Sequence, residues 1–265
     1  MRYLTVRNQS ILREIVSADF KVRYQGSALG YVWSVLKPLL MFAVLYILFT
    51  YIAPIGKDVE HYGVSLLIGV VLWNFFQETT MMGASSIVEN GDLIRKISIP
   101  RYLIVIARSV SALINLGLSL IVVVIFAFMN GIMPTWSWLF IVPVIIELYV
   151  FSLGVAFVLA TALVKFRDIT YIWEVFLQAG FYASAIMIPV KIVPVQWHDI
   201  FFMNPIVQIV QDARAVIIPS EHNITIWNTV QNHLAKIIPF MIITTICVTG
   251  VLYFRKQSKY FAEDV

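Results

Sequence analysis

Ionisable side chains are scarce in this sequence. Asp, Glu, Lys and Arg make up only 13% of its 265 residues, about half the roughly 25% of an ordinary soluble domain. Pro38–Gly56, Ser109–Ile146, Leu148–Val164, Val175–Val190 and Ile237–Phe254 contain none of the four. Such runs leave no stretch for a soluble domain. Cysteine occurs once, at Cys247, which excludes an internal disulfide and, in apolar surroundings, favours plain packing. Catalytic motifs are missing as well. There is no GxxxxGK[ST] phosphate loop, no HExxH and no GxSxG, and His61, His198, His222 and His233 lack metal-ligand spacing. His198-Asp199 reads as a hydrated loop contact. The triplets Asn8-Gln-Ser10 and Asn223-Ile-Thr225 both match a glycosylation acceptor, and their expected positions on opposite sides show how readily chance produces one. The start, MRYLTVRNQSILREIV, has no apolar core or cleavage site of a secretory signal, so targeting is expected through the first span. These absences argue against an enzyme; any ATP hydrolysis must belong to another polypeptide.

What the chain does have is apolar length. Crossing the hydrocarbon core takes roughly 20 apolar residues in a helix. The pattern predicts an all-α integral membrane protein with spans near 35–55, 62–88, 104–130, 137–164, 171–190 and 234–254. With the N-terminus in the cytoplasm, residues 1–37 place six Lys and Arg inside and residues 89–108 place four. Lys165, Arg167, Arg255, Lys256 and Lys259 bring the inside total to fifteen, against Lys57, Lys191, Arg214 and Lys236 outside. Basic residues are retained on the cytoplasmic side, so both termini are expected inside. The net charge of +4 is explained by topology rather than by nucleic acid.

Three connecting segments stand out. Residues 10–33 place Ile11, Ile15, Ala18 and Val22 at helical spacing opposite Arg13, Glu14, Lys21 and Arg23, an amphipathic helix fit for the headgroup layer. It serves as a positive-inside anchor, or Lys21 and Arg23 also meet an anionic headgroup. In residues 89–103, Asn90-Gly91 signals a turn and Asp92 can cap a short helix with apolar Leu93, Ile94 and Ile97, which Pro100 ends. That apolar face either folds back on its own spans or docks a cytoplasmic partner. In residues 189–233, Asn204-Pro205 reads as a cap and first helical position. The helix it opens has Ile206, Ile209, Val210, Ala213 and Ile217 on one side and Gln208, Gln211, Asp212 and Arg214 on the other. Too short to span, it is expected to be interfacial or re-entrant.

Glu147 and Glu78 fall inside predicted spans, where a charge either marks function or is partnered by a neighbour. Of the aromatic residues, Tyr31, Trp33, Tyr51, Trp73, Trp136, Trp138, Trp173, Trp197 and Trp227 lie near span ends, and interfacial belts account for most of them. Tyr46, Phe49, Phe75, Phe76, Phe176, Phe181 and Tyr182 lie within spans. There they either pack against lipid or line a tunnel on which the apolar faces of sugars slide.

With these residues in view, the chain resembles the ABC-2 type permeases that export polysaccharides, the membrane subunits for O-antigen, capsule and teichoic acid. The resemblance runs through DFKVRYQGSALGYVWSVLKPLL (Asp19–Leu40), LLIGVVLWNFF (Leu66–Phe76) and SSIVENGDLIRKISIPR (Ser85–Arg101). KFRDI (Lys165–Ile169), MNPIVQIVQDAR (Met203–Arg214) and YFAEDV (Tyr260–Val265) follow in order. Ala183–Pro189 departs from the family's Ser-Pro-Ile type break. The resemblance implies a single transmembrane domain over 1–265: interfacial segment 1–33, spans one to five in 34–188, outer re-entrant region 189–233, last span and tail 234–265. It also implies a homodimer in the bacterial inner membrane, working with two copies of a separate ATPase subunit that holds ATP and Mg, with no cofactor on this chain. Asp92, Leu93, Ile94, Arg95, Lys96, Ile97, Pro100 and Arg101 would form the coupling segment. The substrate would be a glycan on undecaprenyl diphosphate, admitted between spans one and five. Lys21 and Arg23, with Arg2 and Arg7 weaker, would meet the diphosphate, and Tyr46, Phe49, Phe176, Phe181 and Tyr182 are candidates to line the glycan path. Rival readings are an ABC-2 exporter of a small lipid or drug, and a channel or carrier without an ATPase. A membrane glycosyltransferase would need a metal-binding carboxylate cluster that is missing.

Overall fold

The computed structural model describes residues 6–24, 32–53, 59–96, 99–184, 186–187, 189–220, 223–231 and 233–261, and among them there is no strand. Arg2 and Ile97 lie outside the described residues, as do the side chains of Arg7 and Arg23. The long helices are α1 (Val6–Tyr24), α2 (Val32–Ile47, prolonged by a π-turn Leu48–Ile52), α3 (Tyr62–Glu89), α5 (Tyr102–Met129), α6 (Ile141–Lys165) and α11 (His233–Gln257). Between them lie α4 (Gly91–Lys96), α7 (Ile169–Ala183), α8 (His198–Phe202), α9 (Pro205–Ile217) and α10 (Ile226–Thr229).

Val32–Ile52, Tyr62–Glu89, Tyr102–Met129, Trp136–Lys165 and Ala235–Gln257 are long and apolar enough to cross a membrane. They match the expected first, second, third, fourth and sixth spans closely. The expected fifth span, 171–190, is the exception. Its helix, α7, has 15 residues and so reaches about 22 Å, short of the roughly 30 Å hydrocarbon core. It stops at Ala183, where the chain leaves the helix. The next helical pair, 195–202 and 205–217, is bent by 105°, as a broken span or a re-entrant loop.

The centre of the bundle is α3. Val64, Leu66, Leu67 and Val70 are fully buried, and so are Thr79, Thr80 and Ser86. A helix apolar on every side belongs inside a bundle, and α3 packs against α2, α5, α6, α7 and α9. Around it, small residues permit close approach. A β-carbon on Gly154 of α6 would stand 2.8 Å from Cys247 Cα of α11, and one on Gly250 would run into the Gly154 carbonyl oxygen. The outward faces of α5 and α11 carry exposed Ile121, Ile125, Met241, Val248 and Leu252, the surface a bilayer would cover.

A cluster of Ile87, Ile94, Ile104, Phe157, Val164, Phe254 and Phe261, with Ile15 against it, gathers α1, α4 and the end of α11 at one end of the bundle. The N-terminal helix and the C-terminal segment therefore share a side. This basic end carries Arg95, Lys96, Arg101, Lys165 and Arg255; α8–α10 sit at the opposite end. The inward face of α1 differs by one position from the expected one. Ala18 is exposed, whereas the Asp19 carboxylate is only 8% exposed. Asp19 points inward because Arg108 of α5 meets it there.

Candidate functional site

The short α7 lies along α3 in antiparallel register. Trp173 Nε1 donates to Thr80 Oγ1 at 3.0 Å, and Phe181 meets Trp73 with ring centroids 6.0 Å apart. Gly180 makes this possible, since a β-carbon there would fall 2.8 Å from the Trp73 ring. Leu177 and Phe181 are buried against α3, which turns Glu174 and Gln178, one helical turn apart, away from the bundle. On α3, Asn74 and Gln77 form a matching pair at i and i+3. Met41 of α2 closes the other wall. The result is a groove of about 330 Å³ between α2 and α7, floored by α3 and lined by Met41, Trp73, Asn74, Gln77, Glu174, Leu177, Gln178, Phe181 and Tyr182.

Depth gives this groove its meaning. Asn74 and Gln77 are each twelve residues from an end of α3, so the groove lies about 18 Å from both ends. Gln77, Glu174 and Gln178 are exposed on the chain. Polar groups at mid-membrane do not face lipid; they line a wet cavity or meet protein. Behind them runs an aromatic array. Phe76 stacks on Phe151 at 5.3 Å and 11°, and Trp173 stacks on Phe176 at 6.3 Å and 20°. Amide and carboxylate groups beside aromatic faces suit a hydroxylated ring with an apolar C–H side.

The expected aromatic residues divide accordingly. Phe181 and Tyr182 line the groove, and Phe176 joins the exposed end of the array. Tyr46 and Phe49 pack instead against the core, Tyr46 tilted on Phe42 at 5.6 Å. Trp73 and Trp173, placed from sequence near span ends, are a groove residue and an array residue. Asn74, Gln77, Glu174 and Gln178 were not singled out from the sequence. Their i,i+3 and i,i+4 spacing inside apolar spans was the available signal.

At the opposite end, the break after α7 is held by a residue that the sequence placed on a polar outer face. Arg214 is only 7% exposed. Its Nε donates to the Ser65 carbonyl at 3.0 Å and its Nη2 to the Ile186 carbonyl at 2.8 Å. Tyr62 Oη adds a bond to the Met187 carbonyl at 2.7 Å. Where the backbone runs outside a helix its carbonyls need donors, and Arg214 and Tyr62 supply them at Ile186 and Met187. Asn204 caps α9 as expected, accepting from the Ile206 N–H at 3.0 Å, with Pro205 in the first position. Gln208 and Gln211 are nevertheless buried with the apolar face, so α9 is enclosed on both sides. Gln208 Nε2 donates to Asp212 Oδ2 at 2.7 Å and, more weakly, to Glu147 Oε2 at 3.4 Å. Glu78 accepts from Asn115 Nδ2 at 2.7 Å. Amide side chains on neighbouring helices thus donate to both intramembrane acids.

At the basic end, α4 begins at Gly91, so Asp92 sits inside the first turn instead of capping it. Ile94 is buried in the end cluster and Leu93 is half-buried, while Asp92, Arg95 and Lys96 are exposed. The apolar side folds back on the chain's own spans, and the free face is charged. Beside it Ile94, Ile99, Pro100, Arg101 and Tyr102 edge a groove of about 480 Å³ closed by Phe254 and Arg255. Lys21 is exposed on α1. Among the described residues no group of three or more His, Cys, Asp or Glu could hold a metal.

Comparison with known proteins adds identity to this geometry. Residues 12–218 match the ABC-2 type transporter family. Over 96% of the chain and 94% of the relative, the sequence is 29% identical to the O-antigen export system permease protein RfbA of Klebsiella pneumoniae. The protein of that name from Myxococcus xanthus is also 29% identical, over 78% of the chain and 80% of the relative. The polysialic acid transport protein KpsM of Escherichia coli is 23% identical over 76% and 78%.

Proposed function

The chain belongs to the ABC-2 type transporter family, and on that premise we propose that it is the permease subunit of an ATP-driven exporter of a lipid-linked polysaccharide. It is a multi-pass inner-membrane protein. The substrate is a glycan of O-antigen or teichoic-acid type on an undecaprenyl-diphosphate carrier. Two copies of the chain form the conduit, and two copies of a separate ATPase subunit, holding ATP and Mg, drive it from the cytoplasmic side. Both termini are cytoplasmic, in keeping with the fifteen-to-four distribution of Lys and Arg.

The observation that carries this reading is the polar and aromatic groove at mid-membrane between α2 and α7. A long hydrophilic chain needs water-compatible walls at that depth and gains from repeated weak contacts to aromatic faces. Asn74, Gln77, Glu174 and Gln178 supply the first; Trp73, Phe181 and Tyr182 supply the second. A second copy facing the groove would complete the tube, and parting of α2 from α7 would admit the lipid sideways, by movement of one half against the other. Lys21 and Arg23, with Arg2 and Arg7 weaker, meet the diphosphate at the headgroup layer. The charged face of α4, Asp92, Arg95 and Lys96, meets the ATPase, with Arg101 beside it.

The test is export by Glu174→Leu/Gln178→Leu in cells lacking the native permease. Surface glycan should fall at least tenfold while the chain still accumulates and co-purifies with its ATPase. Normal export with both polar groups removed would overturn the reading.

A further inference from the structure

We infer that Arg108 is a positioning residue that ties α1 to the α3–α4 elbow, so that a displacement of the interfacial helix is delivered to α4. The inference rests on the function proposed above and names how one of its parts is regulated.

One guanidinium reaches three elements. Arg108 lies two turns into α5. Its Nη1 bonds the Asp19 carboxylate of α1, and its Nη2 donates to Glu89 Oε2 at 2.9 Å. Glu89 is the last residue of α3, and α4 begins two residues later. The elbow between them is closed: Asn90 Nδ2 donates to the Ser86 carbonyl at 2.8 Å, and Ile94 N–H to the Asn90 carbonyl at 3.0 Å. A second contact runs in parallel. Ile15, one turn before Asp19, packs on the cluster that buries Ile94. α1 and α4 are therefore linked once by charge and once by apolar packing.

The chemistry of the link is informative. The Asp19 side chain is 8% exposed and that of Arg108 19%. Well-packed apolar residues commonly do as well or better than a buried ion pair for stability, whereas removing one partner strands a charge. What an ion pair provides here is a defined register between helices. Arg suits the task because its planar fork serves two carboxylates in fixed directions, which an ammonium does not. Lys21 lies two residues beyond Asp19 and is exposed, while Asp92, Arg95 and Lys96 are exposed on α4. An anionic headgroup that shifts α1 would thus move the elbow bearing the charged face of α4.

The experiment uses the full chain assembled with its ATPase subunit in anionic-lipid vesicles loaded with the lipid-linked glycan. Asp19→Leu/Arg108→Met removes the link and leaves neither a stranded buried charge nor an amide pair in its place, so that folding is preserved; Arg108→Lys keeps the charge and loses the fork. The expected result is unchanged assembly and melting, glycan-free ATP hydrolysis within twofold of the parent, and glycan exported per ATP reduced at least fivefold. Arg108→Lys should fall between. A parental export ratio in the double variant would overturn the proposal while leaving the exporter reading intact. A second arm needs no transport. Spin labels at Glu14→Cys on α1 and Asp92→Cys on α4, in Cys247→Ser, should give one narrow distance that broadens in the double variant. An unchanged distribution would overturn the link even if the parent exports nothing, an outcome that separately sinks the exporter reading.

Discussion

Replacing Arg214 by Leu is expected to unfasten the break after α7. The substitution keeps an apolar stem of similar reach and deletes the donors to the Ser65 and Ile186 carbonyls. The Ser65 carbonyl keeps its helical partner within α3, so the loss falls on the Ile186 carbonyl, and a buried carbonyl left without a donor costs about 1–3 kcal/mol. At roughly 2–4 °C per kcal/mol for a chain of this size, melting in detergent should fall by about 2–12 °C. Arg214→Lys, with one ammonium in place of a fork, should recover part of the loss. Gly69→Ala offers an independent route to the same network, because its β-carbon would fall 2.9 Å from Arg214 Nη2. Two changes acting on one network should not be additive, so adding Gly69→Ala to Arg214→Leu should lower melting little further. Melting of Arg214→Leu within 2 °C of the parent, or full additivity with Gly69→Ala, would refute the assignment.

Gly250→Leu should separate α11 from α6, because its side chain meets the Gly154 backbone; loss of monodisperse protein on size-exclusion chromatography is the readout. In α4, Asp92→Ala/Arg95→Ala/Lys96→Ala should weaken co-purification of the ATPase at least tenfold without changing melting. Ile94→Ser should instead lower melting by several degrees, because Ile94 belongs to the end cluster. Tyr46→Leu, remote from the groove, should leave export within twofold, in contrast to Trp73→Ala, which should cut it at least fivefold in the same surface-glycan assay.

Apolar length made five of the spans legible, since a helix that crosses lipid must satisfy its backbone internally and stay uncharged for its whole course. The fifth crossing was legible as an apolar run but not in its form, for the same reason. The run 175–190 is uncharged throughout, and nothing in its composition announces that the helix stops at Ala183. What holds the chain just beyond it is tertiary: the donors to the Ile186 and Met187 carbonyls are Arg214 and Tyr62, each far away in sequence. The charge of Arg214 read as exposure because a single chain does not reveal which carbonyls will come to meet it. The groove stayed hidden for a related reason. Asn74, Gln77, Glu174 and Gln178 are individually unremarked polar residues, and only the antiparallel register of α3 and α7 brings them together. Of the aromatic residues read as path candidates, Phe181 and Tyr182 line the groove, whereas Tyr46 and Phe49, of the same type, pack against the core. In α4 the helix and its charges were legible, but the face that Ile94 presents depended on the end cluster.

Thiol accessibility at the middle of the groove tests the central claim most directly. In a Cys247→Ser background, Gln77→Cys, Glu174→Cys and Gln178→Cys are treated with a membrane-impermeant maleimide in the assembled exporter, with Ile121→Cys as the lipid-facing control. A wet passage predicts labelling at all three groove positions, protection by the lipid-linked glycan, and an inert control. Groove positions as unreactive as Ile121→Cys would contradict the account.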